Sequence, residues 1–104
     1  MASSIKVRTS IREGVATVRS IIRHPMHTGF EIDEATGEII PAHFIETVSV
    51  QHGGKTILQC DWSRAVSKNP YLSFAFSGAR AGDLLSISWR DNKNKSDSVE
   101  VKIE

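Results

Sequence analysis

The side chains of this chain best suited to hold a metal or act as nucleophiles are four histidines and one cysteine. His24, His27 and His43 fall in one stretch, IIRHPMHTGFEIDEATGEIIPAHFIE, residues 21–46; His52 follows in QHGGK and Cys60 in LQCDW. Imidazole and thiolate together suit zinc or iron, and His24 and His27, three apart, could ligate from a helix or turn. Pro25 argues against that, because it imposes an extended or turn backbone at His24. Cys60 shares a face with Leu58 and Trp62, so it is expected to point into a core as a small hydrophobe. Its thiol is then inert, since apolar burial disfavours the thiolate. No G-x-S-x-G elbow is present, and HGG runs into a strand pattern rather than the helix N-terminus a phosphate loop needs. Asp33, Glu34 and Glu38 read as a solvated turn. No metal, cofactor or catalytic residue is therefore expected.

The elements that must position these residues follow a period of two. Ile5, Val7, Thr9 and Ile11 alternate with Lys6, Arg8 and Ser10 until Gly14 breaks the chain. Ala16, Val18, Ser20 and Ile22 share the next face. Phe44, Val48 and Val50 share another, where Glu46 interrupts the rhythm and marks a bulge. The paired glycines of QHGGK signal a hairpin. Leu58, Cys60 and Trp62 follow, then Leu72, Phe74 and Phe76. After the turn SGARAGD come Leu85, Ile87 and Trp89, then the turn DNKNKSD, and Val99, Val101 and Ile103. About seven strands, each apolar on one face, require a second sheet to cover them. The expected fold is all-β, an immunoglobulin-like antiparallel β-sandwich, with residues 1–104 as a single domain and Trp62 and Trp89 filling the core.

Composition sets the outer limits. Hydrophobic residues at 39% and charged residues at 24% suit a soluble globular domain, and a length of 104 suits one core. The formal net charge is +1, and no basic stripe is visible along the chain, so no nucleic-acid partner is expected. The longest apolar runs are only a few residues, so no membrane span is expected. A single cysteine forbids an internal disulfide, which fits both reducing and exported settings. The N-terminus, MASSIKVRTSIREG, carries no apolar signal core and no twin-arginine pair.

Two segments depart from the strand rhythm: residues 23–42, with their own turn at DEATGE, and residues 63–72, where Pro70 pushes Asn69 out of the helical region. Connections longer than a hairpin needs often carry function. They supply apolar side chains and rigid prolines suited to an interface centre, or to packing on the chain's own core. The candidate partner-binding residues are His24, Met26, Phe30, Pro41, His43, Phe44, Asn69, Pro70 and Tyr71. Asn69 can also bond the backbone before Pro70, and His43 can bond within its own loop.

Two resemblances bear on this set. Four histidines and one cysteine on such a sandwich match the ligand count of superoxide reductases, which are mononuclear iron enzymes. In that family a ligand histidine follows the cysteine at short range, whereas here Asp61, Trp62 and Ser63 follow Cys60 and no histidine lies beyond His52. More specifically, HPMHTG (24–29), TGEIIPAHFI (36–45), VSKNPYLSFAF (66–76) and WRDNK (89–93) resemble the SoxZ family, over nearly the whole chain and in order. GDLLSISWRDN keeps a further family pattern, with Lys93 and Asn94 standing where a glycine usually follows.

The SoxZ resemblance implies an immunoglobulin-like sandwich that pairs with SoxY, whose arm cysteine carries sulfur intermediates between the enzymes of thiosulfate oxidation. This chain ends VEVKIE, without a carrier cysteine or glycine arm, and so is expected to be the non-catalytic subunit. The resemblance also implies periplasmic export together with SoxY and docking of Sox pathway enzymes through the SoxYZ complex; on physical grounds, an exposed apolar partner face could pair with a second copy when the partner is absent. The competing readings are a superoxide-reductase-like iron enzyme and a generic binding module on the same fold.

Overall fold

Alternation of apolar and polar residues builds every strand. The computed structural model describes residues 3–104. Its strands are β1 (Ile5–Arg12), β2 (Val15–Ile22), β3 (Ile45–His52), β4 (Lys55–Asp61), β5 (Tyr71–Ser77), β6 (Leu84–Asp91) and β7 (Ser96–Lys102). They form two antiparallel sheets, β1-β2-β5 and β4-β3-β6-β7, packed as the expected sandwich. Apolar faces of both sheets meet in one core around Val18, Ile22, Val48, Val50, Leu85, Ile87 and Ile103.

The turn chemistry expected at QHGG holds. Gly53 and Gly54 both adopt positive φ, 58° and 83°, and close the β3–β4 hairpin. The β3–β6 register shifts between Ile45 and Thr47, so Glu46 sits in an irregularity of the ladder, as its broken alternation indicated. Trp89 is buried. Its indole N–H donates to Ser4 Oγ at 3.0 Å, and Ser4 Oγ donates in turn to Asp97 Oδ2 at 2.6 Å. Those two bonds tie the residue that leads into β1 to both β6 and β7. Trp62 and Cys60 are only half-buried against the margin of the core. No helix of the described residues is long and apolar enough to cross a membrane.

One expectation is corrected by the register. Along the chain no basic stripe is visible, yet Lys6, Arg8 and Arg12 of β1 and Arg19 of β2 project from the same outer face. Alternation spaces them two or more residues apart in sequence, and strand pairing then brings Arg8 directly opposite Arg19.

Candidate docking surface and its histidine–aspartate anchor

Residues 23–44 leave β2 and return to β3 as an irregular hairpin. Isolated bridges join His27 to His43 and Ile32 to Ile39, and the Asp33 carbonyl accepts from Gly37 N–H at 2.7 Å to close its tip. With so little ladder of its own, the hairpin needs anchors at its base.

The main anchor is Asp91, the last residue of β6, which is fully buried. Its Oδ2 accepts from His24 Nε2 at 3.0 Å and from His43 Nε2 at 2.6 Å. Its Oδ1 accepts from the Lys93 and Lys95 amides, both at 2.9 Å. One carboxylate thus joins both legs of the hairpin to the β6–β7 turn. Burial opposes its charge, but the bonds from His24, the Lys95 amide, His43 and the Lys93 amide outweigh that and hold the carboxyl down at about 2. For His24, burial is the dominant influence and pushes its pKa below the ordinary 6.5, with Asp91 pulling the other way. The two imidazoles meet edge to face, with ring centroids 4.5 Å apart, and His24 packs edge-on against Trp89 at 5.1 Å.

Two asparagines complete the base. Asn92 Oδ1 accepts from Phe44 N–H at 2.8 Å, and its Nδ2 donates to the Ala42 carbonyl at 2.9 Å. Asn69 Oδ1 accepts from His24 N–H at 3.1 Å, while Asn69 N–H donates to the His24 carbonyl at 3.0 Å. Asn69 has φ 51°, outside the right-handed helical region but in the left-handed one that asparagine tolerates, and it bonds the backbone there. Arg64 links the second irregular segment to the first. Its Nη1 donates to the Thr28 carbonyl at 3.2 Å, and its guanidinium lies 5.5 Å from the Phe30 ring centroid and 5.9 Å from that of Phe44. Asn94, standing where the SoxZ resemblance places glycine, has φ 60°, a conformation asparagine tolerates better than most residues.

A close approach fixes the hairpin's path at Gly29. Its φ is 89°, and a Cβ there would come within 3.2 Å of the Ala42 Cβ. Gly29→Ala is expected to cost about 1–3 kcal/mol, read as a fall in thermal midpoint with the far-UV spectrum unchanged.

His24, His43 and Asp91 are the described residues whose potential ligand atoms converge, all within 4.8 Å. The hydrogen-bond pattern does not suit a metal. His24 Nδ1 accepts from Met26 N–H at 3.2 Å, so the ring proton sits on Nε2 and points at Asp91. Metal binding at Nε2 would move that proton to Nδ1, against the Met26 amide. A metal-ligating histidine normally offers that second nitrogen to an acceptor. The donor set fits a closed structural anchor.

The candidate partner residues divide by burial. His24 and Met26, each 3% exposed, and Pro70 lie in the interior, so the structure withdraws their side chains from any surface. The apparent interface motif HPM is instead an anchor: Met26 has φ 50°, and its Sδ lies 3.3 Å from the Ile45 amide. His43 is partly buried with its Nε2 on Asp91, and Phe44 is half-buried. Phe30, Pro41, Asn69 and Tyr71 are exposed. Ile32 and Ile39, absent from the candidate set, are each 64% exposed beside Phe30 at 77%. Asp91 was also missed, because DNKNKSD reads as a solvated turn. Its signal was the alternation itself, because Asp91 continues the inward-facing series Leu85, Ile87 and Trp89.

Three strands packed over four, with the longest connection pinned by a buried carboxylate into an apolar knob, make an immunoglobulin-like β-sandwich. The family model described as "Sulphur oxidation protein SoxZ" matches residues 5–102, and the chain belongs to that family. Its role is in sulfur oxidation. Among solved structures, a hypothetical protein of Pyrococcus horikoshii superposes with a TM-score of 0.69 at 14% identity, covering 96% of this chain and 87% of the other. A superoxide reductase (neelaredoxin) of Archaeoglobus fulgidus, in reduced form, superposes with a TM-score of 0.61 at 17% identity, covering 98% and 86%. At those identities the likeness is one of fold. No curated protein matches the chain.

Proposed function

We propose that this protein is the non-catalytic subunit of a two-subunit sulfur carrier. It pairs with SoxY, whose arm cysteine bears the sulfur intermediates of thiosulfate oxidation. SoxZ family membership supports this reading. The single structural observation that carries it is the hairpin knob, where Phe30, Ile32 and Ile39 are held in the open by a base bonded entirely from below. Exposing three large apolar side chains on a rigid support is costly in an isolated domain and useful at an interface. The proposed SoxY surface comprises these three with Pro41 and Asn69, while exposed Tyr71, paired with Ile21 on the outer face of the three-stranded sheet, is left to the pathway enzymes. The carrier subunit needs a mobile arm, and such an arm needs a rigid base, which a second sandwich supplies. The proposal extends to docking of Sox pathway enzymes, to the periplasm as the working compartment, reached by export with folded SoxY, and to self-association of the isolated chain through the same knob.

Co-expression with SoxY followed by size exclusion and metal analysis tests the reading. A metal-free heterodimer is the expected result. Absence of a complex, or stoichiometric iron in this chain alone, would overturn it in favour of an iron site.

A further inference from the structure

The outer face of the three-stranded sheet carries an unusual charge arrangement. Its rows, read across β1, β2 and β5, are Lys6–Ile21–Tyr71, Arg8–Arg19–Ser73, Ser10–Thr17–Ala75 and Arg12–Val15–Ser77. Lys6, Arg8, Arg12 and Arg19 are all exposed, and exposed Arg23 extends the face just past the end of β2, around a depression it shares with Lys6 and Ile21. Five of the thirteen Lys and Arg residues thus gather at one face, although the net charge is only +1. None of those rows contains a carboxylate.

The ion pairs found among the described residues are all between histidine and carboxylate, so none of these five cations is ion-paired among the described residues. Arg8 and Arg19 stand directly opposite each other across the β1–β2 ladder, an arrangement that weakens a sheet. A repulsive pair retained in an otherwise well-ordered sheet is explained by something outside the chain that neutralises it.

The face is not only charged. Ile21, Tyr71 and Val15 are 46%, 58% and 42% exposed along it, and the middle rows hold the short side chains Ser10, Thr17, Ser73 and Ala75. Arginine and tyrosine around apolar positions on a short-chained floor are the composition of a protein interface. Binding a nucleic-acid strand would call for several aromatic platforms along a groove, and Tyr71 is the one aromatic in these rows.

We propose that this face docks an acidic protein surface on the enzymes that act upon the carrier arm, leaving the hairpin knob for SoxY. The inference rests on the carrier-subunit reading. The cations steer the encounter, the Arg8–Arg19 pair meets carboxylates that remove its repulsion, and Ile21 and Tyr71 supply the apolar contact.

The test uses the assembled complex with SoxY in reconstituted thiosulfate-dependent turnover, with the complex as the varied substrate. Arg8→Glu/Arg19→Glu is expected to raise KM for the complex at least about tenfold with kcat unchanged, and to flatten its dependence on ionic strength. Arg8→Gln/Arg19→Gln should fall between, and Arg8→Glu alone, which creates a cross-strand pair with Arg19, serves as the folding control through a thermal midpoint that holds or rises. An unchanged KM overturns the proposal. So does loss of the SoxY complex in the reversed variant, which would make the face the subunit interface. A wild-type complex that binds a short DNA duplex through these arginines, with turnover unaffected, would overturn it in favour of nucleic acid. Failure of the carrier reading itself is distinct, since the wild-type chain would then form no complex with SoxY before any charge is reversed.

Discussion

Asp91→Ala is expected to be the most destabilising single substitution in the molecule, costing about 3–5 kcal/mol. The carboxylate is fully buried and accepts from four donors, the imidazole N–H groups of His24 and His43 and the amides of Lys93 and Lys95. Truncation leaves all four without an acceptor. His24 cannot answer by changing tautomer, because Met26 N–H occupies its Nδ1. For a domain of this size the loss corresponds to on the order of 20 °C in thermal midpoint. Asp91→Asn keeps the shape and part of the accepting capacity, and should fall between. Thermal unfolding followed by circular dichroism reads both. A midpoint for Asp91→Ala within a few degrees of wild type would show that the anchor is not what holds the hairpin.

The same residue sets the acid limb of stability. Its folded pKa, about 2, lies below the ordinary 3.8, so its contribution is complete above pH 4 and is lost as pH falls towards 2. That difference is worth about 2 kcal/mol. His24 is also depressed in the folded state, by burial, so folding is opposed by its protonation and stability should already decline as pH falls below 6.5. Acid titration of the unfolding free energy should therefore show two descending steps. Asp91→Asn should remove the lower one.

The second large effect concerns binding. Phe30→Asp with Ile39→Asp is expected to weaken the complex with SoxY by about 2–4 kcal/mol, a factor of roughly 30 to 1,000 in Kd. Both side chains are open to solvent, at 77% and 64%, so the thermal midpoint of the isolated chain should hold or rise slightly. Separation of the two readouts makes the experiment informative. Met26→Asp could not serve, because Met26 is 3% exposed and a carboxylate there would unfold the domain before any partner met it. An unchanged Kd for the double variant, measured by titration calorimetry, would move the interface off the knob.

The sequence by itself determined the architecture. Alternating apolar residues from Ile5 to Ile11, from Ala16 to Ile22 and from Leu85 to Trp89 leave each strand one face to bury, and two sheets are the economical way to bury them. The double glycine before Lys55 and the interrupted rhythm at Glu46 located a hairpin and a ladder irregularity, because positive φ and a missed alternation are local properties. The SoxZ motifs marked the two irregular segments as the places to look.

What those segments do was decided only by the tertiary structure. Apolar side chains beside prolines in HPM and NP suit an interface and a core equally, and it is the structure that turns His24, Met26 and Pro70 inward, towards the base of the hairpin. Asp91 lies 67 residues from His24 and 48 from His43, and no local pattern encodes that meeting. The basic face was hidden for the same reason. Arg8 and Arg19 are separated by a turn and eleven positions, and only the register of β1 on β2 sets them side by side. Periodicity is written along one strand, where neighbours in sequence share a face. Charge clusters and buried anchors arise from pairing between strands, and pairing is set by the packing of the whole core.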